Sequence, residues 1–183
     1  MKKKFALIGI LIGIIMGLSA CNNSDIPAER TEEEIADFRG EFFFEVPEDF
    51  NNREEADGAT YYLHKEHPEK ESNISVTIAE NDDSFKFLSA KRFTNQIAKG
   101  LKENYGEKVT TTIVEEKYLE IDGRRVFMYQ AKYEVAEQTI IQIHYVIEND
   151  EELIAVIFTE RNEEGFLEAF KAAGESISFL ETK

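Results

Sequence analysis

The most constraining feature of this chain is an uninterrupted apolar run, Leu-Ile-Ala-Val-Ile-Phe, at residues 153–158. Successive side chains of a β-strand point to opposite faces of the sheet, so both faces of this segment must be covered. The run therefore predicts a central strand that lies between two packed layers. A chain with such a strand needs apolar elements on both sides of one sheet.

Further strands are predicted where short segments alternate in polarity or are rich in β-branched and aromatic residues. The predicted strands span residues 42–46, 59–64, 73–79, 109–119, 124–135, 139–147 and 153–159. Two main helices are predicted over residues 83–105 and 163–174, and the first carries Phe93, Ile97 and Leu101 four residues apart. Most connections are of hairpin length. The pattern predicts an α+β domain, in which an antiparallel sheet of about six to seven strands packs against two helices.

The first 21 residues have the pattern of a bacterial lipoprotein export signal. Residues 2–4 are lysines, and residues 5–17 are uncharged and apolar. As a helix this segment would be roughly 20 Å long, which is short for a hydrocarbon core of about 30 Å. Residues 18–21, Leu-Ser-Ala-Cys, resemble a lipobox, which implies cleavage between Ala20 and Cys21 and a diacylglycerol on Cys21. The alternative is an uncleaved membrane helix with an incidental cysteine.

Three segments are therefore predicted: a signal peptide at 1–20, an acidic tether at 21–40 and a single domain at 41–183. A capping box that begins at Thr31 suggests a short helix over 31–38 within the tether. Cys21 is the only cysteine, so no intramolecular disulfide can form. Two or more acyl chains anchor a protein stably. We expect the mature chain to be lipid-anchored in the cell membrane, on its extracytoplasmic face.

The chain is strongly acidic. Its formal net charge is −16, and removal of the three lysines at 2–4 makes it −19. Such a charge disfavours DNA, RNA and anionic lipid headgroups as partners. It suits a cationic partner or divalent metal ions, or it serves only the solubility of a tethered protein.

Several landmarks along the chain form a recognisable order. They are Phe-Glu-Val-Pro-Glu-Asp-Phe at 44–50, the long middle helix, Ile-Asp-Gly at 121–123, and a last helix that leads into Ser-Ile-Ser-Phe at 176–179. Together they resemble the PsbP/DcrB-like family. The resemblance covers about residues 41–181. It implies an antiparallel sheet between helices, an α/β/α sandwich, and functions in binding or assembly rather than catalysis. It transfers no active-site residue to this chain.

Metal ligation is the first chemistry that the sequence suggests. His64 and His67, with carboxylates nearby, could hold zinc or another transition metal, but their spacing is local, no second ligand pair is identifiable, and an exposed loop explains them. The acidic turn at 148–152, which includes Asp150 and Glu152, could hold Ca²⁺ or be simply solvated. Asp82 or Asp83 reads as the N-cap of the first helix. His144 lies within a predicted strand and reads as a sheet residue rather than a catalytic one.

No nucleophile elbow, acyl-enzyme motif or glycine-rich phosphate loop is present in the sequence. The sequence therefore predicts a non-catalytic binding or assembly domain that needs no cofactor. A second hypothesis is a small-ligand or metal-binding accessory lipoprotein of a transport system, with a pocket lined by Tyr129 or Tyr133. A third is an envelope hydrolase built on paired carboxylates.

Overall fold

The computed structural model describes residues 35–38, 42–81, 84–106, 108–149 and 152–179. Within these ranges the strands are β1 (Ile35–Phe38), β2 (Phe42–Glu45), β3 (Asn52–Ala56), β4 (Ala59–Leu63), β5 (Asn73–Glu80), β6 (Val109–Ile121), β7 (Arg124–Val135), β8 (Gln138–Asn149), β9 (Glu152–Arg161) and β10 (Ser178–Phe179). The helices are α1 (Ala90–Tyr105) and α2 (Leu167–Glu175), and a 3₁₀ turn spans Ser84–Phe87.

The strands form two antiparallel sheets. The large sheet has the order β3-β4-β5-β9-β8-β7-β6, and the small sheet has the order β1-β2-β10. The apolar run at 153–158 lies in β9, in the middle of the large sheet, as predicted. Strand β9 pairs with β8 through a hairpin on one side. On its other side it pairs with β5, which is distant in sequence.

A separate apolar core covers each face of the large sheet. On one face, α1 buries Phe93, Ile97 and Leu101 against β7 and its neighbours, so the predicted apolar stripe does face the sheet. On the other face, α2 and the small sheet bury Phe170 and Phe42, together with side chains of β9. Full burial of one such side chain contributes about 1.5–3 kcal/mol. The prediction of an α+β domain with two helices on one antiparallel sheet is confirmed.

The first helix begins later than predicted. Residues Ser84–Phe87 form the 3₁₀ turn, and α1 starts at Ala90 after the N-cap Ser89, whose hydroxyl oxygen accepts from the Arg92 N–H at 3.3 Å. The Ala90 N–H donates to the Glu116 carboxylate of β6 at 3.0 Å. A side chain distant in sequence thus helps to set the start. The predicted caps Asp82 and Asp83 lie outside the described residues.

The second helix also begins late, at Leu167 instead of residue 163. Asn162, Glu163 and Gly165 all have positive φ, between 51° and 93°, which no α-helix accommodates. The Glu160 carboxylate, only 3% exposed, accepts hydrogen bonds from the Gly165 and Phe166 N–H groups at 2.7 and 2.6 Å. This buried carboxylate accepts from N–H groups that have no partner within the helix, and it lies at the positive end of the helix dipole, where a carboxylate is stabilised.

Strands β1 and β3 were not predicted from the sequence. The helix predicted over 31–38 is wrong for Ile35–Phe38, which form β1 and pair with β2, while 31–34 lie outside the described residues. Strand β3 is not among the predicted strands, and its sequence Asn-Arg-Glu-Glu-Ala is polar and exposed on both faces. Only its hydrogen-bonded partner β4 makes it a strand.

The predicted signal peptide, with Ala20 and Cys21, lies outside the described residues, so the lipid anchor stays a prediction. In the part of the chain that the structure describes, no helix is long and apolar enough to cross a membrane.

Candidate functional site

A line of polar side chains crosses the large sheet beneath α1, and we call it the buried polar row. Its members are Ser75, Thr77, Tyr129, Tyr133, Gln142, His144 and Thr159. The register explains the arrangement, because Ser75 of β5 lies opposite Ile157, Ile157 opposite His144, and His144 opposite Tyr129. Cross-strand partners share a face in an antiparallel sheet. These side chains therefore lie on the face that α1 covers, and all of them are buried.

His144 is the centre of the buried polar row. Its ring stacks on Tyr129 with the centroids 4.3 Å apart. The Gln142 side-chain oxygen lies 3.1 Å from Nε2. Because an amide oxygen can only accept, the ring carries its proton at Nε2 and donates a hydrogen bond to that oxygen. The Gln142 amide donates in turn to the Thr159 hydroxyl at 3.2 Å. Complete burial lowers the pKa of His144 to about 3, so the imidazole is neutral at physiological pH.

Two tyrosine hydroxyls extend the row. Tyr129 and Tyr133 are fully buried, and their hydroxyls lie near each other, although neither forms a well-aligned hydrogen bond within the described residues. Burial raises the pKa of both phenols, and for Tyr129 the neighbouring Tyr133 hydroxyl adds to the rise. Both are therefore neutral. Because each phenol can donate one hydrogen bond, the pair could bind an internal water molecule or a polar group of a small ligand.

Three further polar atoms of the row have no partner within the described ranges: the Ser75 and Thr77 hydroxyl oxygens and the His144 Nδ1. Buried polar groups without a hydrogen bond cost free energy, so such atoms normally bind water or a ligand. The sequence showed Tyr129, Tyr133 and His144 but not Ser75, Gln142 or Thr159. A signal for Gln142 was present in the sequence, because this polar residue lies between Ile140 and His144 on one face of a mostly apolar strand.

The two histidines proposed as metal ligands have other surroundings. His64 is buried rather than exposed, its Nδ1 accepts from the Glu66 N–H at 3.0 Å, and its ring packs against Phe50 and Phe166. His67 Nδ1 lies 3.3 Å from the Lys70 carbonyl oxygen. Across the described ranges, no group of three or more His, Cys, Asp and Glu side chains is placed to hold a metal ion. This geometry fits a packing role for His64.

The acidic turn is described only at its two ends. Asp150 and Glu151 lie outside the described residues, and Glu152 lies opposite Asn149 in the sheet. The Glu148 carboxylate forms an ion pair with Arg125 and accepts from the Asn81 amide at 3.3 Å. Both of its oxygens therefore have partners on neighbouring elements. The described residues test neither of the two interpretations of this turn, a Ca²⁺ site or a simply solvated turn.

An exposed apolar strip runs along the last strand of the large sheet. Its members are the large apolar side chains that are exposed in the described residues: Phe87, Tyr105, Ile113, Val114 and Tyr118. Three of them belong to β6, Phe87 ends the 3₁₀ turn before α1, and Tyr105 is the last residue of α1, which packs on β6 and β7. Clustered exposed apolar side chains are typical of interaction sites.

The comparisons with known proteins agree with this architecture. The PsbP family profile matches residues 33–172, which is most of the chain. The chain belongs to the PsbP family. This result confirms the family resemblance of the sequence landmarks. No curated protein matches the chain at a significant level of sequence similarity.

Two solved structures of PsbP-like fold are similar to the chain. Cyanobacterial PsbP (CyanoP) from Synechocystis superposes with a TM-score of 0.62 at 14% identity, and the match covers 90% of this chain and 99% of that one. The Ran-binding protein Mog1p of Saccharomyces cerevisiae superposes with a TM-score of 0.51 at 14% identity, over 81% of this chain and 95% of that one. At such identities the similarity establishes a shared fold.

Proposed function

We propose that this chain is an extracytoplasmic lipoprotein whose PsbP-family domain binds or helps to assemble a partner protein without catalysing a reaction. The observation that carries the proposal is the PsbP-family match across residues 33–172. The same fold occurs in Mog1p, which is named as a Ran-binding protein. The lipobox at 18–21 supports the placement outside the cell membrane.

The titratable groups of the buried polar row favour binding over catalysis. A general base works best when its pKa is near the operating pH and when it reaches the substrate. His144 is fully buried and its pKa is lowered to about 3, and the Tyr129 and Tyr133 phenols are buried with raised pKa values. These groups therefore suit the specification of a core, or the holding of an internal molecule, better than proton transfer to an external substrate.

The proposal is tested by crosslinking the full chain in its own membranes and identifying the attached proteins. We expect the wild-type chain to crosslink a defined partner, at the same ratio of partner to chain in repeated preparations. The control is Leu101→Asp, which places a charge in the core beneath α1 and should unfold the domain while the anchor remains. If the wild type and this control enrich the same proteins, the domain is not the binding element and the proposal fails.

A second candidate function is the binding of a small polar ligand inside the domain. It is favoured by the His144 Nδ1, which has no hydrogen-bond partner among the described residues, and by the two buried hydroxyls of Tyr129 and Tyr133 beside it in the buried polar row. Native mass spectrometry of the full chain isolated from its own cells should then show an added mass that denaturation removes. Tyr133→Phe deletes one donor and should weaken retention of that mass. If the native and denatured masses are equal, the interior holds only water.

A further inference from the structure

We propose that the outer edge of β6, from Glu115 to Ile121, binds an extended lysine- or arginine-containing segment of a partner protein as an additional strand of the sheet. This inference rests on the proposed binding function and names its surface and the chemistry of its partner. An exposed sheet edge presents main-chain N–H and C=O groups that pair with an incoming strand. Among the described strands, only β7 pairs with β6.

The bulge in β6 defines the length of the binding edge. Strand β6 has 13 residues, and its register to β7 shifts between Ile113 and Glu115, so that Val114 is the extra residue. A bulge interrupts regular pairing and bends the strand. The segment Glu115–Ile121 is the longer regular stretch, and it runs without interruption to the turn at Asp122.

The opposite edge of the sheet lacks these properties. Strand β3 has five residues, all exposed, and its central Arg53, Glu54 and Glu55 are charged. Short edges discourage pairing with other chains, whereas charge is present on both edges. Strand β6 has 13 residues, its regular segment Glu115–Ile121 has seven, and that segment carries the exposed Tyr118. Of the two edges, β6 is therefore the one suited to docking.

Apolar side chains on β6 and beside it offer anchor contacts. Val114, Tyr118 and Phe87 are 56%, 59% and 64% exposed. The Tyr118 ring rests on Phe85 and Phe127, and its hydroxyl donates to the Leu88 carbonyl at 3.0 Å. Tyr118 is thus held in place before a partner arrives, which lowers the entropy that binding must overcome.

Charge selects the kind of segment. Glu115–Ile121 contains three carboxylates and one cation, Lys117, whose Nζ lies 2.9 Å from Glu115. The whole chain has a formal net charge of −16. A second copy of this chain, or an anionic membrane, would be repelled, whereas a basic segment is attracted. The occupant that fits is therefore a basic, extended segment of another protein.

The experiment follows hydrogen exchange by mass spectrometry on the full chain in nonionic detergent. The probe is the peptide Lys-Val-Lys-Val-Lys-Val-Lys-Val-Lys. Its control has proline in place of the valines at positions 4 and 6, which keeps the charge but cannot pair as a regular strand. We expect the first peptide to slow amide exchange within residues 115–121 and not within 52–56. The proline peptide should give no such protection.

Matched charge variants on the two edges separate docking from general attraction. Glu120→Lys and Glu54→Lys change the net charge equally, and both positions are exposed. We expect Glu120→Lys to weaken peptide binding about fivefold, whereas Glu54→Lys should leave it nearly unchanged. Equal loss in both variants would overturn the inference. The inference would also be overturned if the peptide protected residues 52–56, or if the proline peptide gave equal protection. Self-association of the chain through β6, measured by sedimentation, would overturn it as well.

The same variants distinguish this inference from the proposed function. If a partner crosslinks to the wild type, and equally to Glu120→Lys and Glu54→Lys, the chain binds but not through the β6 edge. If no partner crosslinks to the folded wild type, the proposed function itself fails.

Discussion

The imidazole of His144 stacks on the phenol ring of Tyr129, with the ring planes 16° apart. The two residues are cross-strand partners of β8 and β7, and both are fully buried beneath α1. Each also has one polar atom without a hydrogen-bond partner in the described part of the chain. The core on this face therefore contains a polar pair in addition to its apolar side chains. Because one member is a titratable imidazole, the stability of the domain should depend on pH.

The pH dependence follows from the burial of His144. Its pKa falls from the ordinary 6.5 to about 3 in the folded chain. Above pH 6.5 the ring is neutral in both states and its contribution to stability is complete. As the pH falls from 6.5 towards 3, the unfolded chain takes up a proton that the folded chain does not, and stability is lost. Between pH 7 and pH 5 we expect this group to cost about 2 kcal/mol.

Urea unfolding at pH 7 and pH 5 measures that loss. Carboxylates contribute to the same trend, so the informative quantity is the difference between the wild type and His144→Phe, which cannot take up the proton. The variant should lose less stability between the two pH values. Equal slopes in both proteins would contradict a buried neutral imidazole.

The core beneath α1 is tested by Leu101→Ala. Leu101 is fully buried among the side chains of that face, and the shortened residue should leave a cavity. We expect a loss of about 2–5 kcal/mol in the free energy of unfolding. Lys99→Ala, on the exposed side of the same helix, is the control and should change stability by less than about 0.5 kcal/mol. Chemical denaturation of both variants makes the comparison, and similar losses would contradict the packing described.

The approach of α2 to the sheet requires a glycine at position 174. A Cβ atom there would lie 2.6 Å from the hydroxyl oxygen of Tyr145 and would clash with its ring. Gly174→Ala should therefore destabilise the domain by about 1–3 kcal/mol, although alanine normally favours a helix. Thermal unfolding checks this. The additional change Tyr145→Leu removes the ring and should restore part of the loss, whereas a fully additive double variant would show that the two positions do not meet.

The anchor prediction rests on residues 18–21. Cys21→Ser removes the sulfur that would carry the diacylglycerol, so we expect an unprocessed precursor that incorporates no labelled lipid. Metabolic labelling with a palmitate analogue and the mobility of the protein on a gel report both steps. A serine variant that is processed and labelled like the wild type would show that the chain is not a lipoprotein of this type.

Much of the candidate site was within reach of the sequence. Tyr129 and Tyr133 are four residues apart in one predicted strand, so the alternation of side chains places them on one face, which is the face that α1 covers. What could not be predicted is that Gln142 and Thr159, which are 17 residues apart, join His144 in one hydrogen-bonded line. Such a line depends on the register of two strands, β8 and β9, which local periodicity does not encode.

The sequence by itself determined the features that depend on short-range periodicity. The all-apolar run of β9 requires cover on both faces, and the spacing of Phe93, Ile97 and Leu101 requires a helix with one buried side. Both requirements hold in the structure. They are local because the alternation of side chains is a property of the backbone conformation itself.

Only the tertiary structure decided where the elements begin and which polar groups are buried. The Glu116 and Glu160 carboxylates accept from backbone N–H groups at the starts of α1 and α2, and both side chains come from neighbouring strands of the sheet. Strands β1 and β3 exist because partners are paired to them, although their own sequences do not favour a strand over other structures. His64 and His144 are buried because aromatic rings from other elements cover them. The Glu116 carboxylate and the Ala90 N–H, for example, are 26 residues apart, and the free energy of such a contact is available only once the chain has folded.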